Sequence, residues 1–221
     1  MIFLVGGEKG GAGKSCLAQN LAVHIAQGGG DVLLVDADPQ GTSNGWAAER
    51  ESLREQFPER AVVQYAKASG PIRDWLQDKA KRYSHIVIDT GGADSDALRA
   101  AMTVADSMLI PFRPKRRDLK TLPAISELVS TALSFNPNLQ VRAIITQCPS
   151  LPSQVYRILD AKDACQSFGL EPLNAITMAR NSYDDADEDG SSVLESKVDP
   201  KAAEEIRAIA LEMWGERTWR D

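Results

Sequence analysis

The chain reads as an α/β protein: a mainly parallel sheet flanked by helices on both faces, in three layers. Three observations predict this. Short apolar runs recur along the chain with little polar interruption, as in strands covered on both faces. Segments of helical spacing alternate with them. No internal repeat, low-complexity tract or linker divides the 221 residues, a length that suits one domain spanning 1–221 with a full core.

The elements follow in order. The run Ile-Phe-Leu-Val at 2–5 predicts the first strand, and a helix near 14–27 follows it. Val-Leu-Leu-Val-Asp at 32–36 predicts the second strand, with a helix near 44–56. Strands at 62–66 and 85–89 are separated by a helix near 71–82. A helix near 94–104 leads to a strand at 108–112, and a helix over 118–134 leads to a strand at 141–146. A helix near 153–168, a strand at 173–177 and a helix near 200–214 complete the pattern, with a short frayed tail after Trp214. The acidic run Asp184, Asp185, Asp187, Glu188 and Asp189 reads as a solvated loop. Ligands of such sheets sit at the carboxyl ends of the strands.

Composition narrows the class. With 43% hydrophobic and 25% charged residues, the chain is neither disordered, collagen-like nor a coiled coil. Cys16, Cys148 and Cys165 have no paired spacing, which argues against a disulfide framework or a zinc cluster and for a reducing compartment. Two histidines, His24 and His85, leave little room for a histidine metal site. No apolar run reaches the roughly 18–20 residues of a membrane span. The start lacks a basic leader and does not read as a secretory signal. A net charge of −6 argues against a wholly basic coat but allows a local basic patch.

The first strand runs into Gly6-Gly7-Glu8-Lys9-Gly10-Gly11-Ala12-Gly13-Lys14-Ser15, and a helical pattern begins at once. Glycines let successive backbone N–H groups surround phosphate oxygens. The helix adds its positive dipole end. Lys14 is placed to reach β- and γ-phosphates, and the Ser15 hydroxyl to ligate Mg²⁺. Glu8 stands where the usual phosphate loop has its first glycine, and a second lysine, Lys9, sits inside the loop.

That form resembles the deviant Walker A motif of the ParA/MinD family of ATPases. Asp36-Ala37-Asp38-Pro39-Gln40-Gly41 is similar to the family's switch I, and Asp89-Thr90-Gly91-Gly92 to its switch II. The stretch 104–111 resembles the approach to the base-binding loop. Gly190-Ser191-Ser192-Val193-Leu194-Glu195 resembles a segment of the small, ParF-like partition proteins. The resemblance implies a P-loop NTPase fold, with ATP and Mg²⁺ as cofactors. It assigns Asp38 to the attacking water, Asp36 to the hydrated metal, and Asp89 to holding that metal from the second shell. Gly10, Gly11, Ala12, Gly13, Lys14, Ser15 and Cys16 would cradle the nucleotide. Lys9 would cross a dimer interface to the partner's phosphates, like an arginine finger supplied in trans.

ATP is favoured over GTP, because Thr146-Gln147-Cys148-Pro149 lacks the aspartate of a guanine-selecting element. The resemblance puts the adenine between this strand end and the loop after the fifth strand, with Asp118 and Arg180 as candidate contacts. Cys16 replaces the family's usual threonine with a poorer hydrogen-bonding group. It is packing filler or, at a helix N-terminus, a thiol of lowered pKa.

Arg113, Lys115, Arg116, Arg117 and Lys120 crowd into eight positions. They read as phosphate contacts for nonspecific DNA, as a solvated charge run, or as nucleotide contacts. The family resemblance implies an ATP-bound homodimer, a ParB-like adaptor that stimulates hydrolysis, and a cytoplasmic, nucleoid-associated protein of a bacterium that positions a plasmid, a chromosome region or another cargo. Two alternatives are a MinD-like membrane-cycling ATPase and a small-molecule P-loop enzyme. The C-terminal helix counts against the membrane. Its apolar face (Ala203, Ile206, Ala210, Met213) is flanked by Glu204, Glu205 and Glu212 against Lys201 and Arg207, a poor surface for anionic lipid. Arg217, Trp219 and Arg220 are the tail's remaining membrane-type features. No pair of cysteines has a spacing suited to a shared iron–sulfur cluster.

Overall fold

The computed structural model describes residues 1–92, 94–217 and 219. Among these, seven strands form one sheet: β1 (Ile2–Val5), β2 (Val32–Ala37), β3 (Gln64–Lys67), β4 (His85–Thr90), β5 (Ser107–Phe112), β6 (Gln140–Cys148) and β7 (Pro172–Met178). Their order is β3-β2-β4-β1-β5-β6-β7, and every pairing is parallel. Strands β1, β2, β4 and β5 are buried along their whole length, which explains their unbroken apolar runs. The edge strand β3 is largely exposed instead and begins two residues later than its predicted 62–66.

Helices cover both faces of the sheet. They are α1 (Lys14–Gln27), α2 (Thr42–Ser52), α3 (Arg73–Lys79), α4 (Asp96–Met102), α5 (Arg116–Leu119), α6 (Leu122–Phe135), α7 (Val155–Ser167), α8 (Asn181–Glu188) and α9 (Pro200–Trp214). One core layer joins α3, α4, α6 and α7 to the sheet through Leu76, Leu98, Ile125 and Ala161. The other holds α1 and α9 through Leu17, Leu21, Ile206 and Ile209.

Three expectations need correction. The helix predicted over 118–134 is two helices, because Pro123 has no N–H to give the carbonyl four residues back and sits in the first turn of α6. The acidic run is not a loop. Most of it lies in α8, where Ala186 is buried and the Tyr183 hydroxyl donates to Glu205 Oε2 at 2.8 Å. The tail is not frayed at Trp219, whose indole is buried 5.0 Å from the Trp214 ring and 5.1 Å from His85. It fills the space left by Gly28 and Gly30, where added Cβ atoms would come within 2.2 and 3.1 Å of it. Arg220 lies outside the described residues.

The chain leaves β1 and builds β2, β3 and β4 on one side, then β5, β6 and β7 on the other. The loop after β1 therefore lies where the strand order reverses, the usual ligand position in open α/β sheets.

Candidate nucleotide site

The loop from Gly6 to Gly13 takes its shape from backbone angles that side chains resist. Gly11 and Gly13 are left-handed, with φ of 71° and 86°. Gly13 caps α1 in that conformation and turns the chain into the helix. The loop's own carbonyls are tied down from three directions. Lys14 Nζ donates to Lys9 O at 2.8 Å, Gln147 Nε2 to Gly11 O at 2.9 Å, and Thr146 Oγ1 to Ala12 O at 2.8 Å. Thr146 and Gln147, at the end of β6, thus brace the loop. The sequence alone pointed to them only as a base-selecting element.

A cleft of about 860 Å³ opens beside this loop. Its walls include Gly10, Gly11, Gly13, Lys14, Ser15 and Cys16, with Asp38, Gly91, Gly92 and Arg180. Lys14 is buried. Burial lowers its pKa, while the Asp89 and Asp38 carboxylates pull the other way. A buried cation held among carboxylates suits a polyanion that brings its own counter-cation.

Asp89 is fully buried at the end of β4. Its Oδ2 accepts the Ser43 hydroxyl at 2.7 Å, and Oδ1 meets the geometric limits of a hydrogen bond with no partner among the described residues. Burial pushes its pKa up to about 7 against the Ser43 and Ser15 hydroxyls and the Lys14 charge, which lower it. An orphaned carboxylate oxygen beside Ser15 fits a hydrated divalent cation. Among the described residues no three His, Cys, Asp or Glu side chains converge into a metal cage. That matches Mg²⁺, which keeps water and takes substrate phosphate oxygens as ligands. Ser43 was missed by sequence reasoning, since a serine 46 positions from its partner carries no local signal.

Asp36 is tied to the loop that follows it. Its Oδ1 accepts from Asp38 N at 3.0 Å and its Oδ2 from Asn44 N at 2.6 Å. Each oxygen holds a backbone N–H, so Asp36 also pins the 38–44 loop. Asp38 is half-buried and lines the cleft. Its Oδ1 accepts from Gln40 N at 3.0 Å and lies 3.3 Å from where a Cβ on Gly91 would stand. Gly92 passes so close to the phosphate loop that a Cβ there would lie 2.7 Å from Gly10 N.

The two expected base contacts stand differently toward the cleft. Asp118 is 1% exposed, is absent from the cleft wall, and gives both oxygens to Arg113: Oδ2 to Nε at 2.6 Å, Oδ1 to Nη2 at 3.1 Å. Arg180 does line the cleft, but its guanidinium is held by Glu205 at 2.8 Å and Asp199 at 3.1 Å. The Arg113–Asp118 pair also takes Arg113 out of the basic patch and sets it beside Gly11. Lys115, Arg116, Arg117 and Lys120 remain exposed. Cys16 lines the cleft, and burial, with Asp187 and Asp184, pushes its pKa up to about 12 rather than down. Lys9 is half-buried, and its ammonium makes no hydrogen bond or ion pair among the described residues. The Gly190–Glu195 segment serves the scaffold. Asn20 Oδ1 accepts from the Ser192 hydroxyl at 2.6 Å, and the Trp46 indole donates to Ser191 O at 2.8 Å.

A parallel sheet with a glycine-rich loop and lysine at its switch point, opposite a buried strand-end aspartate, defines a P-loop nucleotide-binding protein. The chain belongs to the CobQ/CobB/MinD/ParA nucleotide-binding family, whose model matches residues 3–207. It is 31% identical over 215 residues to the maintenance of carboxysome distribution protein A of Gloeobacter kilaueensis, covering 96% of this chain and 92% of that protein. It is 25% identical over 234 residues to the chromosome partitioning protein ParA of Caulobacter vibrioides, covering 87% and 86%. Among solved structures, the MinD cell division protein of Aquifex aeolicus superposes with a TM-score of 0.75 at 18% identity, covering 100% and 99%. An ATP complex of a Cyanothece McdA variant superposes with 0.74 at 15%, covering 98% and 96%.

Proposed function

We propose that the chain is an ATP hydrolase, one catalytic domain over 1–221, whose ATP-bound form pairs with a second copy and positions a large cargo. The observation that carries this reading is Lys9: a phosphate-loop lysine whose ammonium has no partner among the described residues, beside a Lys14 that donates to the loop. Phosphoryl transfer asks for positioning and charge neutralisation more than covalent chemistry. Gly10 to Cys16 would cradle the phosphates, Lys14 would neutralise charge at the β- and γ-phosphates, and Ser15 with Asp89 would hold Mg²⁺. That ion would supply charge stabilisation when bound. Asp38 would orient the attacking water, and Gly91 or Gly92 would sense the γ-phosphate. Lys9 would serve the partner's phosphates, so ATP joins two copies and hydrolysis releases them.

The names of the relatives, carboxysome distribution and chromosome partitioning, favour a cargo-positioning role with an adaptor of ParB type that stimulates hydrolysis. Exposed Lys115, Arg116, Arg117 and Lys120 would contact DNA phosphates and hold the ATP form on the nucleoid of a bacterium. The membrane-cycling alternative loses support because α9 spends its apolar face on the core, burying Ala203, Ile206 and Ala210. Among the described residues no helix is long and apolar enough to cross a membrane.

Lys9→Ala tests the reading. The variant is expected to bind ATP through Lys14, to lose at least about 100-fold in turnover, and to stay monomeric by light scattering where the wild type pairs. Unchanged turnover and assembly would remove the trans role.

A further inference from the structure

The phosphate loop is shaped by donors that come from a distant strand. Gly11 and Gly13 are left-handed, and Ala12 between them is not. Such alternation turns successive N–H groups to one side and makes a concavity for an anion. The carbonyls of Gly11 and Ala12 are held by Gln147 Nε2 at 2.9 Å and Thr146 Oγ1 at 2.8 Å. A trans peptide points its C=O and its N–H in opposite directions. Holding these two carbonyls therefore turns the Ala12 and Gly13 N–H groups away from the end of β6. Neither N–H meets the geometric limits of a hydrogen bond with an acceptor among the described residues, and Ala12 is 1% exposed. Buried N–H groups of this kind call for a ligand that accepts.

Gln147 makes its bond at a conformational cost. Its φ is 49°, and among the described residues it is the one non-glycine residue with a positive φ. A side chain resists that left-handed backbone. The residue falls where the β6–β7 register shifts between Ile145 and Cys148, an irregularity of the kind that re-aims a side chain beside a site. The pairing with β7 continues around it. Gln147 N donates to Thr177 Oγ1 at 3.3 Å, and Ala179 N to Cys148 O at 2.9 Å. Glycine would adopt this turn freely but has no amide to give. Strain of this sort gathers where a site needs a particular side chain in a particular place.

We propose that Gln147 and Thr146 are positioning residues for phosphate binding. They fix two peptide planes of the loop, so that the Ala12 and Gly13 N–H groups are already turned toward phosphate oxygens before the ligand arrives. The inference rests on the reading of the cleft as an ATP site. It differs from a base contact by Gln147, which would act at the other end of the nucleotide. Donors fixed in advance bind an anion without first reorganising the loop. The left-handed backbone at Gln147 is the conformational cost of aiming the amide at Gly11.

Gln147→Ala and Gln147→Gly both remove the amide, and only the second removes the strain. The test measures ATP binding to the full chain by calorimetry with Mg²⁺. It measures inorganic tripolyphosphate, which has no base, by displacement of a fluorescent ATP analogue. Both variants are expected to bind both ligands about tenfold or more weakly than the wild type. In thermal melts Gln147→Gly should outlast Gln147→Ala, so that affinity does not follow stability. Thr146→Val should weaken both ligands, and Thr146→Ser, which keeps the hydroxyl, should restore them. A loss confined to ATP would make Gln147 a base contact and overturn the proposal. Unchanged affinity in both Gln147 variants, or no displacement by tripolyphosphate from the wild type, would overturn it too. Each of these outcomes leaves the ATP reading standing. Failure of the wild type to bind ATP would overturn both.

Discussion

Lys14 and Asp38 face the same cleft from different elements and should fail differently. Lys14→Gln removes the one buried cation of the loop, so nucleotide binding is expected to weaken by at least about 100-fold by calorimetry. Asp38→Ala should keep binding and assembly but slow hydrolysis by about 100-fold or more in a phosphate-release assay. Rapid turnover by that variant would move the water-orienting role elsewhere. Asp89 gives a pH signature. Its folded pKa is raised from 3.8 to about 7 by burial, so the folded state binds the proton more tightly than the unfolded chain. The stability this group contributes is fully present below its unfolded value and is lost as pH rises through about 7. The nucleotide-free protein should therefore lose on the order of a few kcal/mol from this group between about pH 4 and 7. In thermal melts across that range, Asp89→Asn should show a flatter profile than the wild type. Parallel profiles would reject this assignment.

At the scale of elements, the site depends on long-range ties that fasten loops to the frame. Asp36 closes the loop into α2, Thr146 and Gln147 brace the phosphate loop from β6, and Arg50 on α2 clamps the 190–195 segment. Arg50 Nη1 donates to Glu195 Oε2 at 2.9 Å and to Gly190 O at 2.8 Å, with side-chain exposures of only 6% and 10% for the ion pair. Removing one partner of a buried pair strands the other charge. Arg50→Ala is expected to cost about 3–5 kcal/mol in urea unfolding, and the double variant with Glu195→Gln should recover part of it. A loss below about 1 kcal/mol would show that water reaches the pair.

The whole molecule presents its cleft and its basic patch at strand ends of one sheet, β1 leading to the phosphate loop and β5 to the patch. Arg113 is committed to Asp118, which leaves Lys115, Arg116, Arg117 and Lys120 as the exposed cations of the patch. If all four contact phosphates in each subunit of a dimer, log K against log salt should fall with a slope of about −7. The measurement is a filter-binding salt series with a non-hydrolysable ATP analogue, and a flat response would discard the DNA role.

Much of this protein was legible in its residues. The strands showed as apolar runs because parallel strands bury both faces, and the phosphate loop showed because a tight anion-binding turn needs glycine and lysine at consecutive positions. Asp36, Asp38 and Asp89 stood out because each ends or follows a strand at the ligand edge. What the residues could not disclose were pairings between distant side chains. Asp118 looked like a base contact until Arg113 took both its oxygens, and Ser43 was silent until α2 brought it to Asp89. Asp184 and Asp187 read as solvent-facing charge until α8 turned them into a cleft wall. Periodicity and turn chemistry act over a few residues and are written locally. The partner of a buried charge, and the cleft that a helix faces, depend on how the layers pack, and only the folded chain determines them.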